Sequence, residues 1–163
     1  MAEIEIRTFL VDDADGVLSV ILPIQREEFE IDITADEQPD LRVIPDFYQS
    51  GKGQFWVAVD GDAIVGTVGL KDIGNNQAAL RKMFVATHMR GGEHGIAGRL
   101  LETLFLHAAE QGLTDIFLGT TDKFLAAHRF YEKNGFGEIH QRDLPRSFPR
   151  MAVDSKFYRR RVV

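Results

Sequence analysis

The pattern of apolar and polar residues predicts a chain in which strands and helices alternate. The first strand is predicted over residues 3–9, where Ile4 and Ile6 alternate with Glu5 and Arg7. Further strands are predicted at 54–59, 63–70, 78–85, 115–119, 136–140 and near 151–158. The second and third of these strands are joined by Asp60-Gly61-Asp62, whose residue types favour a hairpin turn.

Helices are predicted where apolar residues recur at helical spacing. Ile96, Leu100, Leu104 and Ala108 give one apolar face to a long helix that ends at Gly112. Shorter helices are predicted from Asp12 or Asp13 onward with a kink at Pro23, from Pro39 to Tyr48, and at 124–133. This order indicates an α/β fold with a mixed sheet, and the length of 163 residues indicates a single domain over 1–163.

Composition narrows the classes of function. A hydrophobic content of 44% and a charged content of 27% are typical of an ordinary globular protein. The chain has no cysteine, which excludes disulfides, thiolate metal sites and a catalytic cysteine. With no signal peptide and no apolar run of membrane-spanning length, we expect a cytoplasmic protein without a membrane partner. His88 and His94 lack the spacing of metal ligands, so no metal site is expected.

Charge is divided unevenly along the chain. Residues 1–72 carry 16 acidic and 5 basic side chains, whereas residues 73–163 carry 9 acidic and 14 basic ones. The basic part suits a polyanionic cofactor and the acidic part favours a cationic acceptor such as an amine, although two solvated surfaces explain the same division. The net charge of −6 and the lack of a basic stripe argue against a nucleic-acid partner.

A glycine-rich loop before the long helix is the strongest local signal for cofactor binding. It reads Arg90-Gly91-Gly92-Glu93-His94-Gly95-Ile96-Ala97-Gly98 and directly follows the strand predicted at 78–85. Backbone N–H groups and the helix dipole at such a point hold phosphate. The patterns Gly-x-x-x-x-Gly-Lys-Ser/Thr and Gly-x-Gly-x-x-Gly are both absent, so the common nucleotide loops do not explain this one.

The loop and a second segment, Ala126 to Phe136, together resemble the GNAT superfamily of N-acetyltransferases. That family's loop reads Gln/Arg-x-x-Gly-x-Gly/Ala, and Gly95-Ile96-Ala97 matches its second half. The family has Arg where Gly92 stands here, and the nearest arginine is Arg90, which indicates a two-residue insertion at Glu93-His94. The second segment resembles the family's A-x-x-F-Y-E-K-x-G-F, and both blocks occur in the family's order.

The resemblance implies the GNAT (acyl-CoA N-acyltransferase) fold, a mixed and mostly antiparallel central sheet of about seven strands with about four flanking helices. It implies that the strands at 78–85 and 115–119 splay apart, and that the pantetheine arm of acetyl-CoA lies in the gap. A backbone N–H near Phe84 is expected to hold the oxyanion. The residues expected to bind the cofactor are Met83, Phe84, Val85, Arg90, Gly91, Gly92, Gly95, Ile96, Ala97, Gly98, Phe124 and Ala127.

Tyr131 is the predicted catalytic residue, because the resemblance places it where many members have a Tyr that protonates the departing thiolate. Acyl transfer to an amine needs a neutral amine, a stabilised oxyanion and a protonated leaving group. A packed aromatic residue that closes the helix is the alternative interpretation of Tyr131. The family's strand Glu is absent from 78–85, so the general base is left open among Glu27, Glu28, Glu30, Asp72 and a water chain.

The acceptor site is assigned to four residues, Glu27, Glu28, Tyr48 and Phe148. Glu28 would bind an ammonium group and help to remove its proton, whereas Tyr48 and Phe148 fall in or beside irregular segments and suit pocket walls. Each of the two carboxylates is also explained as a solvated surface charge.

The sequence therefore predicts an acetyl-CoA-dependent N-acetyltransferase that acetylates a primary amine of a small molecule or peptide by direct attack in a ternary complex. Direct attack is expected because the chain has no cysteine to carry an acyl group. The alternative is a non-catalytic acyl-CoA-binding sensor or regulatory interaction module, which the missing strand carboxylate favours and Tyr131 opposes. A homodimer formed through residues 151–163 is a further expectation.

Overall fold

A computed structural model of the chain describes residues 3–28, 30, 33–91, 94–122 and 125–162 and shows one seven-stranded sheet. The strands are β1 Ile4–Thr8, β2 Gln54–Asp60, β3 Ala63–Gly74, β4 Gln77–Val85, β5 Asp115–Thr120, β6 Gly137–Ile139 and β7 Lys156–Arg161. The helices are α1 Ala14–Pro23, α2 Ile44–Phe47, α3 Ile96–Glu110 and α4 Leu125–Lys133.

The strand order in the sheet is β1-β2-β3-β4-β5-β7-β6. Among the described strands, β4 and β5 form the one parallel pair, and every other pair is antiparallel. The predicted mixed, mostly antiparallel sheet with flanking helices is thus confirmed.

The alternation of side chains in β2 shows how the helices are distributed. Phe55, Val57 and Val59 belong to a core with the residues of α1 and α2, whereas Trp56 and Ala58 belong to a core with the residues of α3. Successive side chains of a strand point to opposite faces of the sheet. The α1 face of the sheet is therefore covered by α1 and α2, and the α3 face by α3 and α4, whose Tyr131 joins the same core as α3.

Several predicted element boundaries differ from the structure, among them the end of β3, which runs to Gly74 rather than to residue 70. Pro23 ends α1, and the chain continues through a π-helical turn, Ile24–Glu28. The helix predicted from Pro39 to Tyr48 is wrong as one element: a 3-10 turn, Pro39–Arg42, precedes α2, because Pro45 lacks an N–H and fits only the start of a new helix. The last strand begins at Lys156 rather than near Met151, since Met151 and Asp154 form a turn in which each backbone N–H bonds to the other residue.

Gly69 of β3 is predicted to be intolerant of a side chain. An ideal Cβ there would lie 2.8 Å from Cε1 of Tyr48 and 2.9 Å from Cδ2 of Phe55, and both rings are fully buried. Gly69→Ala should lower the free energy of unfolding by about 1–3 kcal/mol, because the rings must shift in a packed core. Gly137→Ala is the matched control, since a Cβ there meets no atom within 4 Å. Urea unfolding measures both, and an equal midpoint for the two variants would contradict the packing argument.

Candidate active site

The two strands at the centre of the sheet separate along their length. β4 and β5 pair only at Gln77–Asp115, Ala78–Ile116 and Ala79–Phe117, although β4 runs on to Val85 and β5 to Thr120. Beyond these pairs β5 keeps its hydrogen bonds to β7 through Thr120, whereas β4 keeps its pairing with β3. A gap therefore opens in the plane of the sheet, as the resemblance implied.

A cavity of about 910 Å³, part of it open to solvent, occupies this gap. The α3 face contributes Ala127 and Tyr131 of α4, and the α1 face contributes Gln25 of the π-helical turn and Phe148. The rest of the lining comes from the diverging strands, the residue after β5, the loop before β7 and the segment that follows the π-helical turn: Leu80–Phe84, Leu118–Thr121, Pro149, Met151, Val153, Asp154 and Ile33.

A β-bulge in β4 shapes the side of the cavity on the α1 face. Thr67 pairs with Phe84 and Gly69 with Arg81, so that Lys82 and Met83 together oppose one residue of β3. Lys82 has a φ of +56°, in the left-handed region that a non-glycine residue adopts only at an energetic cost. The bulge interrupts the alternation of side chains between the two faces of the sheet. The consecutive residues Arg81 and Lys82 therefore both contact the segment 38–48.

Each of the three nitrogens of the Arg81 guanidinium lies near a protein acceptor. Its Nε donates to the Tyr48 hydroxyl at 3.1 Å, its Nη1 donates to the Pro149 carbonyl at 2.7 Å, and its Nη2 lies 3.8 Å from Asp40. Tyr48 in turn donates to Asp40 at 2.6 Å. Tyr48 has no exposed surface and does not line the cavity, and its hydroxyl is hydrogen-bonded to the cavity-lining Arg81.

The Lys82 ammonium is buried and has no counter-ion among the described residues. It donates to Oε1 of Gln38 at 2.6 Å and lies 3.8 Å from the sulfur of Met151. Among the described residues no carboxylate lies within ion-pair distance of it. Burial lowers the pKa of Lys82 to about 8, and the more distant charges of Asp40 and Asp154 oppose that effect only in part.

Asp154 places a carboxylate on the same side of the gap. Its Oδ2 accepts a hydrogen bond from the Met151 N–H at 2.9 Å and lies 2.7 Å from the point where a Cβ of Gly119 would be. Burial raises the pKa of Asp154, while the Met151 amide and the charges of Arg81 and Lys82 act in the opposite direction. Because Gly119 has no side chain, the Asp154 carboxylate can lie directly against the edge of β5.

Tyr131 reaches the gap from the α3 face. Its ring is held by Phe130 and Phe136, with centroids 5.7 and 5.6 Å away. No described residue forms a hydrogen bond with its hydroxyl, and the side chain lines the cavity. Burial raises the pKa of Tyr131, so the hydroxyl is protonated at neutral pH.

The N-terminus of α3 is open to an anion. Gly91 and Gly95 have φ values of +118° and +57°, which glycine adopts freely. The first turn of α3 has no acidic residue, and no side chain caps it. Its N–H groups and the positive end of the helix dipole are therefore available for phosphate. Gly92 and Phe124, also predicted to bind the cofactor, lie outside the described residues.

Arg90 and Glu28, predicted as a cofactor ligand and an acceptor ligand, lie against each other. Both nitrogens at the end of the guanidinium pair with the carboxylate, one of them at 2.7 Å, and Nε donates to the Val85 carbonyl at 3.0 Å. Glu27 is exposed, and neither glutamate lines the cavity. Asp72 accepts hydrogen bonds from the backbone of Lys52 and Gly74 and does not line it either.

Sequence reasoning missed the charged residues of the cavity. Arg81-Lys82 stands in a strand that is otherwise apolar from Ala78 to Val85, and two adjacent cations in a central strand were a usable signal. Asp154 gave no signal, because it fell inside a predicted strand.

No three described His, Asp or Glu side chains could hold a metal ion together, and no helix in the described ranges is long and apolar enough to cross a membrane.

Lys82 is predicted to destabilise the fold at neutral pH. Its pKa of about 8 lies below its ordinary value of 10.5, so between these values the unfolded chain holds more protons and stability rises with pH. Below pH 8 the buried ammonium opposes folding. Lys82→Met should therefore raise the free energy of unfolding at pH 7 by about 1–3 kcal/mol and remove the rise between pH 8 and 10.5.

Chemical denaturation of wild type and variant across that pH range tests this expectation. Gln38 keeps its hydrogen bond to Gln25 in the variant, so no new unpaired amide arises. Lys52→Met serves as the control, because the Lys52 ammonium is exposed and bonds only to Asn76. A Lys82→Met variant less stable than wild type at pH 7 would indicate a structural role for the ammonium.

Comparison with known proteins connects this geometry to a family. Residues 19–136 match the family model described as Acetyltransferase (GNAT) family. A GNAT-family acetyltransferase from Staphylococcus aureus Mu50 is 42% identical, with a TM-score of 0.93 over 98% of this chain and 99% of that one. An acetyltransferase from Streptococcus agalactiae 2603 is 30% identical, with a TM-score of 0.93 over 99% of both chains.

Curated relatives match a shorter stretch. Probable N-acetyltransferase family 8 member 5 of Mus musculus is 38% identical over 61% of this chain and 45% of its own length, and N-acetylaspartate synthetase of Danio rerio is 36% identical over 65% and 39%. The chain thus spans less than half the length of these two relatives. The matched family region contains the diverging strands, the glycine loop and Tyr131, and the chain belongs to the GNAT acetyltransferase family.

Proposed function

We propose that this chain transfers the acetyl group of acetyl-CoA to a primary amine of a small molecule or peptide by direct attack in a ternary complex. The observation that carries the proposal is the cavity between β4 and β5, in which the Tyr131 hydroxyl lies without a protein partner among the described residues. Its two sides, on the α3 and α1 faces, give the cofactor and the acceptor separate approaches to one reaction centre.

The residues fit the parts of acetyl-CoA as follows. Gly91, Gly95 and the first turn of α3, Ile96–Gly98, present backbone N–H groups to the pyrophosphate. The β4 backbone over Met83–Val85 binds the pantetheine arm, and Ala127 leaves room beside it. Arg90 adds positive charge at the loop while it pairs with Glu28.

Acetyl transfer then proceeds in two bond changes. The lone pair of the neutral amine forms a C–N bond to the thioester carbonyl carbon, and the oxyanion accepts a hydrogen bond from a β4 backbone N–H. The tetrahedral intermediate collapses with cleavage of the C–S bond, and Tyr131 donates its proton to the departing sulfur. The proton that the new amide nitrogen loses restores the phenol, so the net products are the amide and free CoA.

The acceptor lies on the α1 face, where Phe148 forms part of the wall. The Danio rerio relative is named for making an N-acetylated amino acid, so amino acids belong among the amines tested. Direct transfer is favoured because the chain offers no cysteine as an acyl carrier.

Tyr131→Phe is predicted to lower kcat by about 100-fold or more while the Kd for acetyl-CoA changes little, because the phenol acts on the leaving group and not on cofactor binding. The measurement is thiol release from acetyl-CoA with a colourimetric reagent, across amino acids, polyamines, aminoglycosides and peptides. The protein itself contributes no thiol, since it has no cysteine.

Tyr158→Phe is the matched control. Its hydroxyl donates to Glu132 and does not line the cavity, so the variant should lose about 1 kcal/mol of stability and keep its turnover. An unchanged kcat in Tyr131→Phe would remove that residue from the mechanism. Acetyl-CoA binding by calorimetry without thiol release for any amine would favour a non-catalytic sensor instead.

A further inference from the structure

The charged groups of the cavity bear on which amine the chain acetylates. Arg81, Lys82 and Asp154 line it, and the first of these already has three protein partners. Lys82 and Asp154 do not form an ion pair, although each lies near enough to shift the pKa of the other. The cavity therefore presents one cation and one anion that are separate and only partly satisfied.

The Lys82 ammonium has more donors than acceptors. It carries three N–H groups, and the described residues supply one amide oxygen and one weakly accepting thioether. A buried charge with only neutral partners is costly, and the left-handed backbone at Lys82 adds strain. Such a residue suits a ligand that brings the missing negative charge, and a carboxylate has the required size and acceptors.

The Asp154 carboxylate has the complementary character. One described N–H, that of Met151, donates to it, and its remaining acceptor sites are open to an ammonium group. It lies against β5 at Gly119, where the strands have separated, on the side of the gap opposite Tyr131. An amine at this carboxylate would face the thioester from the side away from the phenol.

Resting on the proposed acetyl transfer, we propose that the acceptor is an amino acid whose carboxylate binds the Lys82 ammonium and whose amino group lies at the Asp154 carboxylate. Asp154 takes one proton from the substrate ammonium and passes it to solvent. The neutral amine then forms the C–N bond, and the C–S bond breaks as Tyr131 protonates the sulfur. Lys82 anchors the substrate, and Asp154 acts as the general base.

The sequence suggested a cationic acceptor from the acidic residues of 1–72, and the cavity modifies that interpretation. Asp40 accepts a hydrogen bond from Tyr48 and pairs with Arg81, and Glu28 pairs with Arg90. Neither carboxylate is therefore available to a substrate amine. The acceptor then carries both charges, a positive one for Asp154 and a negative one for Lys82.

Assays of the full chain with acetyl-CoA and either alanine or alaninamide test whether Lys82 binds the substrate carboxylate, because alaninamide lacks that group. We expect Lys82→Met to raise the KM for alanine by about 10- to 100-fold, since a charge-assisted hydrogen bond is lost, and to lower kcat/KM for alaninamide far less, because alaninamide has no carboxylate to bind. Comparing the ratio of the two kcat/KM values between wild type and variant cancels the different basicity of the two amines. Lys52→Met should keep the wild-type ratio.

Asp154→Asn separates the two roles. It should lower kcat for alanine and alaninamide alike, because it acts on the amino group that both share, and the loss should shrink as pH rises and more of the amine is neutral. Lys82→Met is expected to fold at least as stably as wild type, so a change in its KM does not reflect misfolding.

The outcomes distinguish this inference from the proposed function. A ratio of the two kcat/KM values that is unchanged in Lys82→Met would overturn the amino-acid acceptor while leaving acetyl transfer intact. Absence of thiol release with every amine would overturn the proposed function, and the acceptor assignment with it.

Discussion

The end of pairing between β4 and β5 is the constraint on which the rest of the site depends. Two strands that stay in register leave no room for a ligand in the plane of a sheet, and here the register holds only to Ala79 and Phe117. β7 accompanies β5 on its other edge, so β5 remains ordered as it leaves β4. The cavity is therefore formed by the backbone, and side chains from both faces of the sheet line it.

The bulge at Lys82 is the second structural feature on which the site depends, because it brings charged side chains to the cavity. Without the extra residue, Arg81 and Lys82 would lie on opposite faces of the sheet. With it, both reach the segment 38–48, where Arg81 is satisfied by Tyr48 and Asp40 while Lys82 meets only Gln38. Strain and an unpaired buried charge at one residue are what a site reserved for a ligand shows, since neither stabilises the folded chain.

Much of the fold was predictable from the sequence because local patterns determine it. The start of α3 after Gly95, the hairpin at Gly61 and the helix that carries Tyr131 follow from turn residues and apolar spacing. The pocket charges were not predictable in the same way. The bulge depends on the register between β3 and β4, and the Arg90–Glu28 pair joins residues 62 positions apart. No local pattern encodes either feature.

The division of the cavity between two faces gives a physical reason for a ternary complex. The α3 face offers the open N-terminus of α3 and the Tyr131 hydroxyl, both suited to the cofactor, while the α1 face offers Lys82 and Asp154. In the proposed reaction each substrate would enter without displacing the other, and the two would meet at the thioester.

A crystal structure of the chain with bound CoA would show whether the gap between β4 and β5 is the cofactor site. We expect the pantetheine arm between β4 and β5, the pyrophosphate on the first turn of α3, and the sulfur within hydrogen-bond distance of the Tyr131 hydroxyl. A CoA molecule bound elsewhere on the chain, or a sulfur that points away from Tyr131, would contradict this expectation.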